Sequence, residues 1–237
     1  MRHLFTAIAA TALLAAPALA QGTTPAPVVA PAGAYVSDKT HTTVEWQGLH
    51  NGLSWYSARF TDFDIQLTFD PADVTKSKVT ATIDPKSIET DYTRTRPAGN
   101  TTDFNNELAT DARFFNAGKF PKITFTSTAV TKTGEKTGKV TGNLTFLGVT
   151  KPVTLNITYI GNRNDPRANK HKVGFQLTGS LKRTDFGMPA GGPIAQSAND
   201  YRDRITALLG DSLVSTLPPE LREHPQHPIA IEALSIS

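Results

Sequence analysis

Cysteine is absent from all 237 residues. That removes a disulfide framework, a thiolate nucleophile, a Cys-based metal site and the attachment point of a lipoprotein anchor. The other catalytic templates are missing too. There is no Gly-x-Ser-x-Gly elbow, no His-Glu-x-x-His pair and no Gly-rich phosphate loop, and Asp185-Phe186-Gly187 matches a kinase triplet in letters only. Charge is sparse and nearly balanced, with 24 Lys and Arg against 21 Asp and Glu for a formal net charge of +3. No Lys/Arg run or basic-aromatic stripe accompanies it, so nucleic acid is not an expected partner.

Long apolar runs are also missing. The run from Leu4 to Leu14 is too short to cross a bilayer, which takes about 20 residues. Preceded by Arg2 and His3 and followed by the small-residue pattern Ala18-Leu19-Ala20, it is the signature of a secretory signal peptide over residues 1–20, leaving no stable membrane anchor. Residues 21–33 are rich in Pro, Ala and Thr without a period, and are expected to form an extended spacer. The remainder, 34–237, is long enough for a single domain with a substantial core.

Within that domain the dominant period is two. Val44 and Trp46 alternate with Thr43, Glu45 and Gln47, and the same alternation recurs in Tyr56–Phe60, Phe63–Phe69, Val79–Ile83, Ile123–Phe125, Val140–Phe146, Val153–Tyr159 and Val173–Leu181. A last strand is expected within Pro228–Ile236. Turn residues separate these runs at Asp70-Pro71, Gly134, Asn162 to Pro166, and Gly187 to Pro189. The fold class is therefore all-β, an antiparallel barrel or sandwich of about eight or nine strands. Two helices are expected, one capped by Thr102 or Asp103 and running through Leu108, the other carrying Tyr201, Ile205, Leu208 and Leu209 before a stop at Gly210. Inward apolar residues either fill such a barrel or line a cavity, and periodicity alone leaves both open.

The titratable residues form no evident site. His41 and His50 lie nine positions apart and face opposite sides of a regular strand. His224 and His227 sit in a Pro-broken loop, and Asp62, Asp64, Asp70 and Asp73 surround a strand and its turn as solvated carboxylates do. No metal site is expected.

Four ordered pieces carry a resemblance. Tyr35-Val-Ser-Asp38-Lys-Thr-His41-Thr-Thr-Val44-Glu-Trp46 with His50, then Phe114-Phe115 through Phe125-Thr-Ser127-Thr, then Gly142-Asn-Leu144-Thr through Val149-Thr-Lys-Pro152-Val153, and finally Arg183-Thr-Asp185-Phe186-Gly187 resemble the YceI-like, polyisoprenoid-binding proteins of bacteria. The resemblance covers Tyr35 to Gly187 and fades after Met188, where an insertion over about 189–227 departs from the family pattern. Glu107 also stands where the family often has a His. The resemblance implies an extended lipocalin-like antiparallel β-barrel in the periplasm, with no catalytic residues and no cofactor. It further implies an isoprenoid or quinone-like lipid as ligand, and homodimer formation. On that basis Trp46, Tyr56, Phe60, Phe63, Ile65, Phe125, Leu144, Phe146, Leu155, Ile157, Phe175 and Leu177 are the candidate ligand lining. An exported enzyme acting on lipid or glycan, and a packed interaction module without ligand, are the rival readings.

Overall fold

A computed structural model of the chain describes residues 29–50, 53–189 and, for the backbone, 202–209. The strands are β1 (Gly33–Val36), β2 (Thr43–His50), β3 (Ser54–Phe60), β4 (Phe63–Phe69), β5 (Lys78–Ile83), β6 (Ile88–Glu89), β7 (Ile123–Lys132), β8 (Thr137–Phe146), β9 (Val149–Asp165), β10 (Lys170–Lys182) and β11 (Arg202–Leu209). Two helices, α1 (Tyr92–Thr95) and α2 (Phe104–Thr110), lie between β6 and β7.

All pairings are antiparallel, and they run from β1 through β4, β5, β7, β8, β9, β10, β11, β2 and β3 to β6. Chain continuity closes this order into a ring. β2 pairs with β3 while β1 pairs with β4, and β6 pairs with β3 while β5 pairs with β4. The couples β1/β2, β3/β4 and β5/β6 are thus three interrupted strands, which with the five from β7 to β11 make an eight-stranded barrel. The aromatic corner after α2 closes what we term the upper end, and the β4–β5, β7–β8 and β9–β10 turns surround the lower end.

The β3-to-β4 corner shows how alternation is reset. Phe60 and Phe63 are both buried, at 6% and 3% exposure, although an odd spacing places residues on opposite faces of a regular strand. Thr61 and Asp62 between them both face outward. Their backbones are held to the neighbouring segment, Thr61 N–H donating to Ser87 O at 3.1 Å and Asp84 N–H to Asp62 O at 2.9 Å. The barrel thus turns a corner and keeps its apolar face inside.

At the upper end, the Asp103 carboxylate caps α2 by accepting from Asn106 N–H at 3.0 Å, as the sequence predicts. Leu108 at 0% and Ala109 at 3% exposure bury the helix face. The following chain folds back through Phe115 N–H to Leu108 O (3.1 Å) and Ala117 N–H to Ala109 O (2.7 Å), which drives Phe114 and Phe115 into the barrel end.

The expected second helix is corrected. Residues 202–209 form β11, with Ile205 opposite Gly179 of β10 on one side and opposite Trp46 of β2 on the other. The segment Arg202-Asp-Arg-Ile205-Thr-Ala207-Leu208-Leu209 carries two periods at once, because Ile205, Ala207 and Leu209 also alternate. Without it β2 and β10 would expose two unpaired strand edges, and pairing both outweighs the local helical pattern. The strand expected over Pro228–Ile236 lies outside the described residues, as does most of the sequence assigned to the signal peptide and spacer.

β8 and β9 are joined by Leu147 and Gly148, both with positive φ (49° and 74°), the geometry of a primed hairpin turn. Gly148 is doubly constrained, since a Cβ there would lie 2.6 Å from Phe120 Cε1. Gly148→Ala is therefore expected to destabilise the fold by about 2 kcal/mol in denaturant unfolding. Gly161→Ala, whose Cβ would meet nothing within 4 Å, should stay within about 0.5 kcal/mol.

Candidate lipid cavity

The barrel interior holds two apolar cavities in series. The upper has a volume of about 150 Å³ and is lined at the barrel end by Leu108, Phe114, Phe115 and Met188; the lower has about 610 Å³ and opens among the lower turns. Val79 and Leu177 belong to both linings and so stand between the two.

Two groups of rings frame this space. In the upper group Phe115 lies 5.7 Å from Trp46, 5.4 Å from Phe60 and 5.7 Å from Phe146, which in turn lies 5.7 Å from Phe186. In the lower group Phe175 lies 5.3 Å from both Phe69 and Tyr159, and Tyr35 lies 6.0 Å from Phe69. These tilted and edge-on contacts suit aromatic quadrupoles and hold the walls rigid.

The sequence-predicted lining is distributed as follows. Trp46, Phe60, Ile65 and Phe125 line the upper cavity, together with Leu144, Phe146 and Leu155. Ile157 and Phe175 line the lower one, and Leu177 lines both. Tyr56 and Phe63 line neither. Tyr56 packs edge-on against Phe104 of α2 at 6.0 Å, and Phe63 is core at 3% exposure beside the β3–β4 corner. Trp46, Val153, Leu155, Ile157 and Tyr159 all line a cavity yet remain only half-buried. A packed barrel would cover them, so part of their apolar surface faces unfilled space.

Polar groups inside are few. In the upper cavity the Arg183 side chain is buried at 6% exposure, and the buried indole N–H of Trp46 has no hydrogen-bond partner among the described residues. An indole N–H can only donate, so an acceptor oxygen entering here would satisfy it. Beside the lower cavity, Asn162 Nδ2 donates to the Tyr159 hydroxyl, while Asn162 Oδ1 lies 2.7 Å from His171 Nε2. The second ring nitrogen, Nδ1, contacts the Asn164 side-chain amide at 2.6 Å. A neutral ring donates through one nitrogen and accepts through the other, which requires one of the two amides to turn its NH₂ toward the ring. Burial pushes the His171 pKa down. Burial and the nearby Tyr159 push the Tyr35 phenol up, and its hydroxyl donates to Pro31 O.

The residues weighed for catalysis sit elsewhere. His41 is exposed, with Nδ1 at 2.9 Å from Asp38 Oδ2 and 2.8 Å from Thr40 Oγ1, while Asp62 and Asp64 face Lys39 at 3.1 and 3.2 Å. Among the described residues no three His, Cys, Asp or Glu converge as a metal site. His224 and His227 lie outside the described residues. Sequence reading passed over His171 and took Asn162 and Asn164 for turn residues, whereas β9 runs through both to Asp165. The signal available to it was only their cross-strand register near the β9–β10 turn, where His171 stands opposite Asn164 and Val173 opposite Asn162.

A family model described as "YceI-like domain" matches residues 35–207. The chain belongs to the YceI-like family. Protein YceI of Salmonella arizonae is 38% identical over 168 residues, covering 70% of this chain and 82% of that protein. Among solved structures, the Campylobacter jejuni YceI protein superposes with a TM-score of 0.52 at 28% identity, over 67% of this chain and 88% of that one. Burkholderia cenocepacia BcnA shares the fold with a TM-score of 0.58 at 22% identity, over 73% and 98% of the two chains. The YceI-like match runs past Met188, where the resemblance read from sequence fades, and takes in most of β11.

The His171 network predicts a pH response. Its folded pKa lies below the ordinary 6.5, so the folded state prefers the neutral ring. That stability is complete above about pH 6.5 and is lost as pH falls through 6.5 toward the depressed value. Unfolding free energy should decline as pH falls below about 6.5, and His171→Gln should flatten that decline. The carboxylates act lower on the scale, since Arg113 holds Asp111 down to about 2.

Proposed function

We propose that this protein is exported to the periplasm and sequesters or carries a polyisoprenoid or quinone-like lipid inside its barrel. The observation that carries this reading is the half-buried apolar lining around two cavities in series. The lower volume of about 610 Å³ falls within the roughly 300–1,000 Å³ usual for small-molecule sites. Export rests on the sequence pattern of residues 1–20.

The chemistry needed is transfer of hydrocarbon out of water. Each methylene-sized group buried contributes about 0.8 kcal/mol, so several isoprene units outweigh the cost of ordering the chain without any charged contact. Aromatic walls suit the flat, branched isoprene repeat. The Trp46 N–H supplies the polar element, a donor for an acceptor oxygen such as a quinone carbonyl. Binding, not bond-making, is the task these residues fit.

Native purification, organic extraction and mass spectrometry test the reading. A prenyl lipid near one per protein is the expected result, and a folded protein without lipid would favour a packed interaction module. Phe146→Asp in the upper cavity and Phe175→Asp in the lower should each abolish retention, because a carboxylate would be buried against hydrocarbon. Trp46→Phe should weaken quinone-like ligands about fivefold, the equivalent of one hydrogen bond of about 1 kcal/mol, while sparing ligands without an acceptor.

A further inference from the structure

The weak positive charge of the chain is not spread evenly over the barrel. The lower turns and their flanks, residues 70–78, 132–137 and 163–172, contain eight Lys or Arg and four Asp or Glu. The segment capping the upper end, residues 84–122, contains six of each. Folding therefore places an excess of four positive charges around the lower end and none on the upper cap.

Within the lower end, three lysines stand at the opening itself. Lys78 at the start of β5, Lys132 at the end of β7 and Lys136 in the β7–β8 turn all line the lower cavity, and all are exposed. None takes part in an ion pair among the described residues, in contrast to Lys76 and Lys172, which meet Asp73 and Asp165 at 3.3 Å. Glu135 is the one carboxylate in that lining. Val29, 76% exposed, adds an apolar group to the same rim.

We propose that this lower mouth docks on the surface of an anionic phospholipid bilayer, with lipid phosphates meeting Lys78, Lys132 and Lys136 and the cavity opening onto the acyl layer. The inference rests on the reading that the barrel holds a lipid, which must leave and enter a membrane with its hydrocarbon shielded from water. Charge complementarity argues for this occupant. Unpaired lysines around an opening repel one another, while each Lys near an anionic membrane gains about 1 kcal/mol. Val29 and the apolar lining match the layer beneath the phosphates. A neutral partner would give these ammonium groups nothing.

The test uses the full processed protein in vesicle co-sedimentation, with vesicles of phosphatidylcholine alone and of phosphatidylcholine containing about one third phosphatidylglycerol. Binding to the anionic vesicles only, weakened between about 0.1 and about 0.5 M salt, is expected. The triple variant Lys78→Gln, Lys132→Gln, Lys136→Gln should bind on the order of a hundredfold more weakly with unchanged thermal unfolding. If that variant fails to fold, Lys132→Gln with Lys136→Gln, both at the ends of one hairpin turn, should still lose about 25-fold. Equal binding to both vesicles, no binding to either, or wild-type binding by the variants overturns the proposal. Lipid content measured on the same preparations separates the two readings. Absence of extracted lipid counts against the carrier, whereas retained lipid without vesicle binding counts against the docking surface alone.

Discussion

The structure depends on closing the backbone hydrogen-bond ring. An antiparallel sheet with free edges exposes rows of unpaired N–H and C=O groups, and an open curved sheet cannot enclose a water-free interior. Here the last gap lies between β2 and β10, and β11 fills it by pairing with both. The other closure runs through covalent continuity at Thr61 and Asp62, where β3 becomes β4 while both halves stay bonded to their neighbours. Everything inside, including the aromatic groups and the cavities, relies on these two closures to keep its surroundings dry.

The two ends of the ring are finished differently. Above, α2 and the corner after it insert Phe114 and Phe115 as a plug against Trp46, Phe60 and Phe146. Below, hairpins of unequal length leave an opening, and β9 and β10 run on past β8, whose pairing with β9 stops at Thr137 and Thr158. Polar groups follow the same asymmetry, with a lone indole donor and a buried guanidinium deep inside and a Tyr–Asn–His chain beside the open end. The two ends of the interior are thus lined by different chemistry, aromatic above and mixed polar below.

Strand content was legible because period-two alternation is a local property. Runs such as Phe63, Ile65, Leu67 and Phe69 state which face is inside. The cap at Asp103 was legible for the same reason. The β11 segment was not, because its sequence satisfies helical and extended spacing together and the choice is made by two distant strand edges. Ten of the twelve candidate lining residues face a cavity; Tyr56 and Phe63 do not, since side chains that point inward meet α2 or the corner before they meet open space. The lower rim escaped notice because Lys78 lies far in sequence from Lys132 and Lys136, and a net charge of +3 says nothing about where charges gather. His171 was silent for a related reason, because its partners sit across a hairpin in register.

The corner at Thr61 and Asp62 has a consequence for how such a barrel can vary. Two outward residues in a row act as a phase reset, so the upper and lower halves of the wall each keep their own inside and outside. Removing one residue there would turn Phe63, Ile65, Leu67 and Phe69 toward solvent, whereas changes in the length of the β4–β5 turn leave the half above untouched. The depth of the lower compartment can therefore drift among relatives by lengthening hairpins, without disturbing the plugged end. A single scaffold of this kind can house compartments of many depths.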